Sequence, residues 1–187
     1  MKWWEKTVEY LFVINSVRKN QLNLSPLDGK HELAGDLIAA SNAMFFLVEF
    51  KANYSAIISE QEKFFRYDLA RNALNDRDQH HFIVYGEKSE HNTLELKAQT
   101  YFSQTETSID AIFVSGIDVC SFKNYLQEYI DFKLPTGGGP SGVNPLNFGM
   151  VAAVDNTTGK ANTISVEEFL ITLKLTKKQT KSFTLGM

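Results

Sequence analysis

The sequence predicts a mixed α/β domain in which helices flank a central mixed sheet. An amphipathic pattern predicts a helix over Trp3–Val17, and an unbroken apolar run predicts a central strand over Met44–Ala52. A capping box predicts that another helix begins at Ser59. Helical and strand-like segments alternate along the chain, an order typical of a mixed α/β fold. Since the chain has 187 residues, we expect a single domain over 1–187.

The first helix has apolar residues at helical spacing and two acids on a neighbouring face. The acids are Glu5 and Glu9, which are four residues apart and therefore lie together on the helix surface. The apolar positions are Trp4, Val8, Leu11 and Phe12.

Two strands are predicted after a turn at Pro26–Gly29. The first covers Glu32–Ala40 and is joined through Ser41-Asn42 to the second, Met44–Ala52. Neither face of the second strand is polar near its middle, which indicates a position inside the sheet.

Ser59 and Glu62 form the capping box of the next helix, which we expect to end near Leu74. A further strand is expected over His81–Tyr85. The residues expected on the core face of the helix are Phe65, Leu69 and Ala73.

The sequence over 86–187 predicts additional strands, helices and a long loop. We expect strands over Ile109–Ser115 and Met150–Val154 and a helix over Ser121–Phe132. Leu134–Gly149 is rich in glycine and proline and predicts a long loop, and Ser165 predicts one more capped helix.

The composition narrows the class of protein. The net charge is −3, so no overall positive field draws the chain to nucleic acid. Cys120 is the only cysteine, which excludes an intrachain disulfide and a cysteine-ligated zinc site. No apolar run approaches the length that spans a bilayer, and the first residues lack the apolar core of a signal peptide. We therefore expect a cytoplasmic protein that has no contact with a membrane.

The best candidate for chemistry is a set of charges in apolar strands. Glu49 and Lys51 are two residues apart, so both project from one face of their strand while Phe50 points to the other. Asp36, on the strand expected next to them, can reach the same point as Glu49. Two carboxylates and the backbone carbonyl of Phe50 are oxygen ligands that suit Mg²⁺, and a neighbouring lysine can orient the attacking water.

These residues resemble the PD-(D/E)xK nuclease superfamily, which has the restriction-endonuclease-like fold. Asp36 in Gly-Asp-Leu-Ile-Ala is similar to the metal-binding acid of the family, and Glu49-Phe50-Lys51 is similar to its Glu-x-Lys strand. Glu9 is the acid that the resemblance favours on the first helix, and Gln61 is the polar residue on the helix after the strand.

The resemblance implies hydrolysis of nucleic-acid phosphodiester bonds that depends on Mg²⁺ or Mn²⁺, with DNA as the expected partner. The metal ligands would be Glu9, Asp36, Glu49 and the carbonyl of Phe50, with Lys51 and Gln61 assisting. The similarity covers a nuclease-like core over 1–85, and the additional part over 86–187 matches no pattern of the family.

Two other interpretations remain open. A binding module on the same scaffold would hold a protein or a nucleic acid without catalysis, and the acidic composition favours it. Self-association into a homodimer would bury aromatic side chains, of which the 14 phenylalanines are the largest group.

Overall fold

In the part of the chain that the structure describes, seven strands form one mixed sheet, and helices flank it. The computed structural model describes residues 3–20, 25–26, 43–133, 149–155 and 161–165. The strands are β1 (Ser25–Pro26), β2 (Ala43–Lys51), β3 (His81–Lys88), β4 (Leu94–Thr100), β5 (Glu106–Thr107), β6 (Gly149–Asp155) and β7 (Ala161–Ser165). The helices are α1 (Glu5–Asn20), a 3-10 helix (Tyr54–Lys63), α2 (Tyr67–Leu74), α3 (Ile109–Ile112) and α4 (Val119–Phe132).

The strand order across the sheet is β1-β7-β6-β2-β3-β4-β5. Five of the strands have five or more residues, and β1 and β5 are two-residue edges. The β2–β3 and β1–β7 pairs are parallel, and the other pairs are antiparallel. Strands from both halves of the chain thus share one mixed sheet.

β2 lies inside the sheet, as its apolar sequence predicted. Its residues Leu47–Lys51 pair with β3, and Ala43–Glu49 pair with β6. Neither neighbour is the strand predicted over Glu32–Ala40, which lies outside the described residues together with Asp36. The antiparallel partner of the Glu-x-Lys strand therefore comes from the C-terminal part of the chain.

Alternate residues of β2 divide the core into two layers. Phe45 and Leu47 pack with buried residues of α2 and α4, whereas Phe46, Val48 and Phe50 pack with α1. This alternation follows from the two-residue period of a strand. It places Glu49 and Lys51 in line with Phe45 and Leu47, on the face covered by α2, α4 and the 3-10 helix.

The helix predicted over 59–74 is in fact two elements. Asn53 caps a 3-10 helix, because its side chain accepts a hydrogen bond from the backbone N–H of Ala56 at 3.0 Å. The chain then becomes extended at Phe64, which is 6% exposed and bridges to Lys133. Burial of Phe64 therefore ends the first helix before α2 begins.

The predicted core face of this segment was also wrong. Phe65 is 79% exposed and Leu69 is 47% exposed, whereas Ala70 and Leu74 are fully buried. Ala73 is partly buried against the core. The break at Phe64 rotates α2 relative to one continuous helix, which is why the prediction selected the wrong positions.

The strand predicted over Ile109–Ser115 was wrong as well. Ile109–Ile112 forms the single turn of α3, capped by Ser108, whose hydroxyl accepts a hydrogen bond from Ala111 N at 3.1 Å. Ser165 ends β7 where a helix start was predicted, and residues 166–187 lie outside the described part. The predictions also missed β4 and β7.

Other predicted elements are confirmed with shifted ends. β3 and β6 extend beyond their predicted bounds, α1 begins later and ends later than predicted, and α4 begins at Val119. Asp118 caps α4 by accepting hydrogen bonds from the backbone of Cys120 and Ser121. Most of the predicted loop Leu134–Gly149 lies outside the described residues. Within the described ranges, every helix is too short or too polar to cross a membrane.

Candidate functional site

Glu49 and Lys51 lie near the carboxyl end of β2, on its helix-covered face. Both are buried, at 2% and 4% exposure. With Glu60, Lys63 and Lys133 they form a group that we call the charge cluster. It contains two carboxylates and three ammonium groups, drawn from β2, the 3-10 helix and the end of α4.

Glu60 is the central acid of the charge cluster. Its Oε1 lies 2.6 Å from Lys51 Nζ and 2.7 Å from Lys63 Nζ. Its Oε2 accepts a hydrogen bond of 2.7 Å from the hydroxyl of Tyr101 and lies 3.9 Å from Lys133 Nζ. Burial alone raises the pKa of Glu60, but the three lysines outweigh it and lower the pKa to about 2. Glu60 is therefore a firmly ionised group.

The 3-10 helix explains why Glu60 and Lys63 meet. Residues three apart are eclipsed in this type of helix, so both side chains project from the same face. Ile57, three residues earlier, packs partly buried against the core cluster on this side of the sheet. The face that begins with Ile57 thus carries Glu60 and Lys63 towards β2.

Glu49 is less well satisfied than Glu60. The hydroxyl of Tyr129 donates a hydrogen bond of 3.2 Å to its Oε1, and Lys63 Nζ lies 3.7 Å from its Oε2. Oε2 has no hydrogen-bond partner among the described residues. Burial and, after it, the charge of Glu60 raise the pKa of Glu49. Glu49 is accordingly the carboxylate with spare capacity for a cation or a proton.

The lysines of the charge cluster differ in their surroundings. Lys51 Nζ donates to Ser59 Oγ at 3.0 Å besides pairing with Glu60. Burial by itself lowers the pKa of Lys63, but Glu49 and Glu60 outweigh it, so that its pKa is raised. For Lys133 burial dominates and lowers the pKa to about 8.

Aromatic residues enclose Lys133. Its Nζ lies 4.4 Å from the ring centroid of Tyr129, 4.6 Å from that of Phe64 and 5.8 Å from that of Tyr101. Such ring faces attract a cation without accepting a conventional hydrogen bond. Tyr129 also donates a hydrogen bond to Glu49, and Tyr101 donates one to Glu60. Each of these tyrosines therefore lies next to both Lys133 and a carboxylate.

The structure brings some of the predicted site residues together and separates others. Glu5 Oε1 lies 3.5 Å from Lys51 Nζ, at the exposed rim of the charge cluster. Glu9, the acid that we favoured on this helix, pairs with Lys6 at 2.7 Å instead. On geometry Glu5 is therefore the better candidate.

Gln61 and Phe50 lie next to the central residues. Gln61 is partly buried, and its backbone carbonyl accepts a hydrogen bond from Phe64 N. The side chain of Phe50 packs against Phe12 on the opposite face of the sheet, with ring centroids 5.5 Å apart. Asp36 lies outside the described residues.

Whether the charge cluster can hold a metal ion depends on which of its carboxylate oxygens are available as ligands. No group of three or more histidines, cysteines or acids suited to a metal occurs in the described part of the chain. Mg²⁺, however, usually keeps several waters and takes only one or two carboxylates from the protein. Glu49 Oε2, buried without a hydrogen-bond partner among the described residues, fits such a ligand.

Sequence reasoning missed several members of the site. The spacing of Glu60 and Lys63 was visible, but it is informative only once the 3-10 geometry is known. Tyr129 lies within the predicted helix Ser121–Phe132, but its contact with a carboxylate depends on how that helix packs. No local signal could have identified Lys133, because its approach to β2 depends on the packing of α4.

No family model, curated protein or solved structure matches the chain.

Proposed function

We propose that this protein is a metal-dependent nuclease that hydrolyses phosphodiester bonds, built on a restriction-endonuclease-like scaffold. The observation that carries the proposal is the buried Glu49-x-Lys51 pair at the carboxyl end of β2, joined to Glu60. Ligand sites in open α/β sheets commonly lie at the carboxyl ends of strands. The position and chemistry of the pair thus agree with the Glu-x-Lys resemblance.

Stability alone is a weak reason for such a site. Burying ions costs several kcal/mol each, and apolar residues of similar size are often equally or more stable at buried ion pairs. The charge cluster contains five ionisable side chains, of which four are under 6% exposed. A chemical task gives a reason to keep them.

In the proposed reaction each residue has a distinct role. Glu49, with Asp36 as the resemblance implies, would hold Mg²⁺ or Mn²⁺, which supplies Lewis-acid chemistry when bound. Lys51 orients the attacking water, and Glu60 with Ser59 fixes its ammonium group. Glu5 assists at the rim in the role expected of Glu9, and Gln61 remains a proposed auxiliary residue.

The expected substrate is nucleic acid, with DNA ahead of RNA, and the proposed location is the cytoplasm. The support is the resemblance together with the single cysteine, which suits a reducing compartment. Association with a second copy or a protein partner stays a prediction.

Cleavage by purified variants tests the proposal. We expect the full chain to cut single- or double-stranded DNA only with Mg²⁺ or Mn²⁺, and Lys51→Met and Glu49→Gln each to lower the rate by at least about a hundredfold. Lys97→Met is the matched control, because Lys97 is half-exposed and pairs only loosely with Glu87 at 3.6 Å. Full activity in a folded Lys51→Met variant would remove the mechanism.

A second candidate is a non-catalytic binding module for a protein or a nucleic acid. The observation that favours it is that Glu60, one of the two buried acids, is already neutralised by lysines within 2.7 Å. Calorimetric titration with Mn²⁺ separates the candidates. Binding that is lost in Glu49→Gln supports the nuclease, and absence of binding supports the module.

A further inference from the structure

Lys133 is a buried member of the charge cluster whose ammonium group has no hydrogen-bond acceptor among the described residues. Its side chain is 3% exposed, and Nζ has no hydrogen-bond partner within the part of the chain that the structure describes. Among the described residues, the nearest carboxylate oxygen is Glu60 Oε2, at 3.9 Å. A charge-assisted hydrogen bond between an ammonium group and an oxygen is normally about 2.7–2.9 Å long. Within that part of the chain, the three donors of this ammonium group therefore have no oxygen acceptor at hydrogen-bond distance.

Glu60 does not supply that acceptor in this structure. Its Oε1 lies within 2.7 Å of both Lys51 and Lys63, and its Oε2 accepts the hydrogen bond of Tyr101. Lys133 approaches only Oε2 and remains 3.9 Å from it. The single carboxylate of Glu60 thus lies near three ammonium groups.

The positive and negative charges of the charge cluster do not balance among its buried side chains either. The charge cluster has three ammonium groups and two carboxylates, and Glu5 at the rim faces Lys51. A buried cation that shares its counter-ion with two other cations is costly to hold, so one further negative group would balance the buried members of the charge cluster.

We propose that Lys133 binds a phosphoryl oxygen of the substrate, a nucleic-acid phosphodiester. This inference rests on the proposed function for the class of substrate. Lys133 acts as a binding residue: it supplies the ammonium donors to an anionic oxygen, while Lys51 keeps its contacts with Glu60 and Ser59. The rings of Phe64 and Tyr129, 4.6 and 4.4 Å from Nζ, would hold the ammonium group in place for this contact.

Phosphate-dependent stabilisation tests this assignment without a metal or cleavage. In EDTA, inorganic phosphate and a dinucleotide monophosphate should each raise the melting temperature of the full chain, since a ligand that binds the native state stabilises it. In Lys133→Met the affinity for both should fall by about 10- to 100-fold, the equivalent of losing hydrogen bonds to a charged group. Lys97→Met should bind like the wild-type chain.

Lys133→Arg provides a second measurement in case the methionine variant does not fold, because it retains the charge and should retain the effect of phosphate. An unchanged shift in folded Lys133→Met, or no shift in the wild-type chain, would overturn the assignment. Binding of inorganic phosphate but not of the dinucleotide would overturn the phosphodiester as ligand. Loss of phosphate binding in Lys133→Met together with an inactive wild-type chain would sink the nuclease proposal alone.

Discussion

At the scale of single residues, Glu60 holds Lys51, Lys63 and Lys133 around one carboxylate. Each lysine contact is with an oxygen that water cannot reach, because the side chain of Glu60 is only 2% exposed. Removing one partner of a buried ion pair leaves the other uncompensated, at a cost of about 3–5 kcal/mol. Glu60 is thus the residue on which the order of the site depends most.

We expect Glu60→Gln to lower the free energy of unfolding by about 3 kcal/mol near pH 7. The pKa of Glu60 is about 2 in the folded chain against an ordinary 4.5, so its contribution is present above pH 4.5 and is lost as the pH falls towards 2. Urea denaturation at several pH values measures both effects.

The matched control for this prediction is Glu128→Gln. Glu128 pairs with Arg77 at 2.5 Å, but both side chains are nearly half-exposed. A surface pair of this kind contributes about 0–1 kcal/mol. If the two substitutions cost the same, the buried network does not have the role that we assign to it.

At the scale of secondary-structure elements, the 3-10 helix is the part of the scaffold that sets the site. It carries Glu60 and Lys63 on one face and begins at the Asn53 cap. It ends at Phe64, whose burial forces the extended backbone. The position of both charged side chains therefore depends on a short element with two well-defined ends.

We expect Asn53→Ala to lower the free energy of unfolding by about 1 kcal/mol and to reduce DNA cleavage more than that loss of stability explains. Ser108→Ala removes a comparable cap from α3, which lies on the opposite face of the sheet. This control should lose stability while retaining the cleavage rate of the folded fraction. Equal rates of DNA cleavage by the folded fractions of Asn53→Ala and Ser108→Ala would contradict a role for the 3-10 helix in ordering the site.

At the scale of the whole molecule, two buried histidines make the fold sensitive to acid. His80 and His81 are 3% and 0% exposed, and His81 is the first residue of β3. Burial, followed by the charge of Arg77, lowers the pKa of His80 to about 4. Burial also holds the pKa of His81 well below its ordinary value. Both histidines are neutral in the folded protein at pH 7.

The unfolded chain binds more protons than the folded chain below pH 6.5, so the free energy of unfolding should fall as the pH decreases from about 6.5 towards 4. The expected slope is about 1.4 kcal/mol per pH unit for each histidine. His80→Gln should lower this slope by the contribution of about one proton, and His91→Gln, at an exposed position, is the matched control. Urea titrations between pH 4 and 7.5 measure the slope, and an unchanged slope in His80→Gln would refute the assignment.

Three strands of the sheet, β2, β3 and β6, could be predicted from local patterns. The apolar run of β2 and the alternation that puts Glu49 and Lys51 on one face depend on side-chain periodicity within one element. The predictions failed where a distant contact decided the outcome. Phe64 ends the 3-10 helix because it packs in the core. β4 is a different case, because apolar and charged residues alternate over Leu94–Ala98, a local strand pattern that the prediction did not use.

The sequence by itself determined that an acid and a lysine share one face of a central strand, because neighbouring residues of a strand alternate in direction. Only the tertiary structure decided which charges surround them. Lys133 arrives from the end of α4, and β6 from the C-terminal part pairs with β2. These choices depend on contacts between residues far apart in the chain, and no local pattern records which distant groups will be buried together.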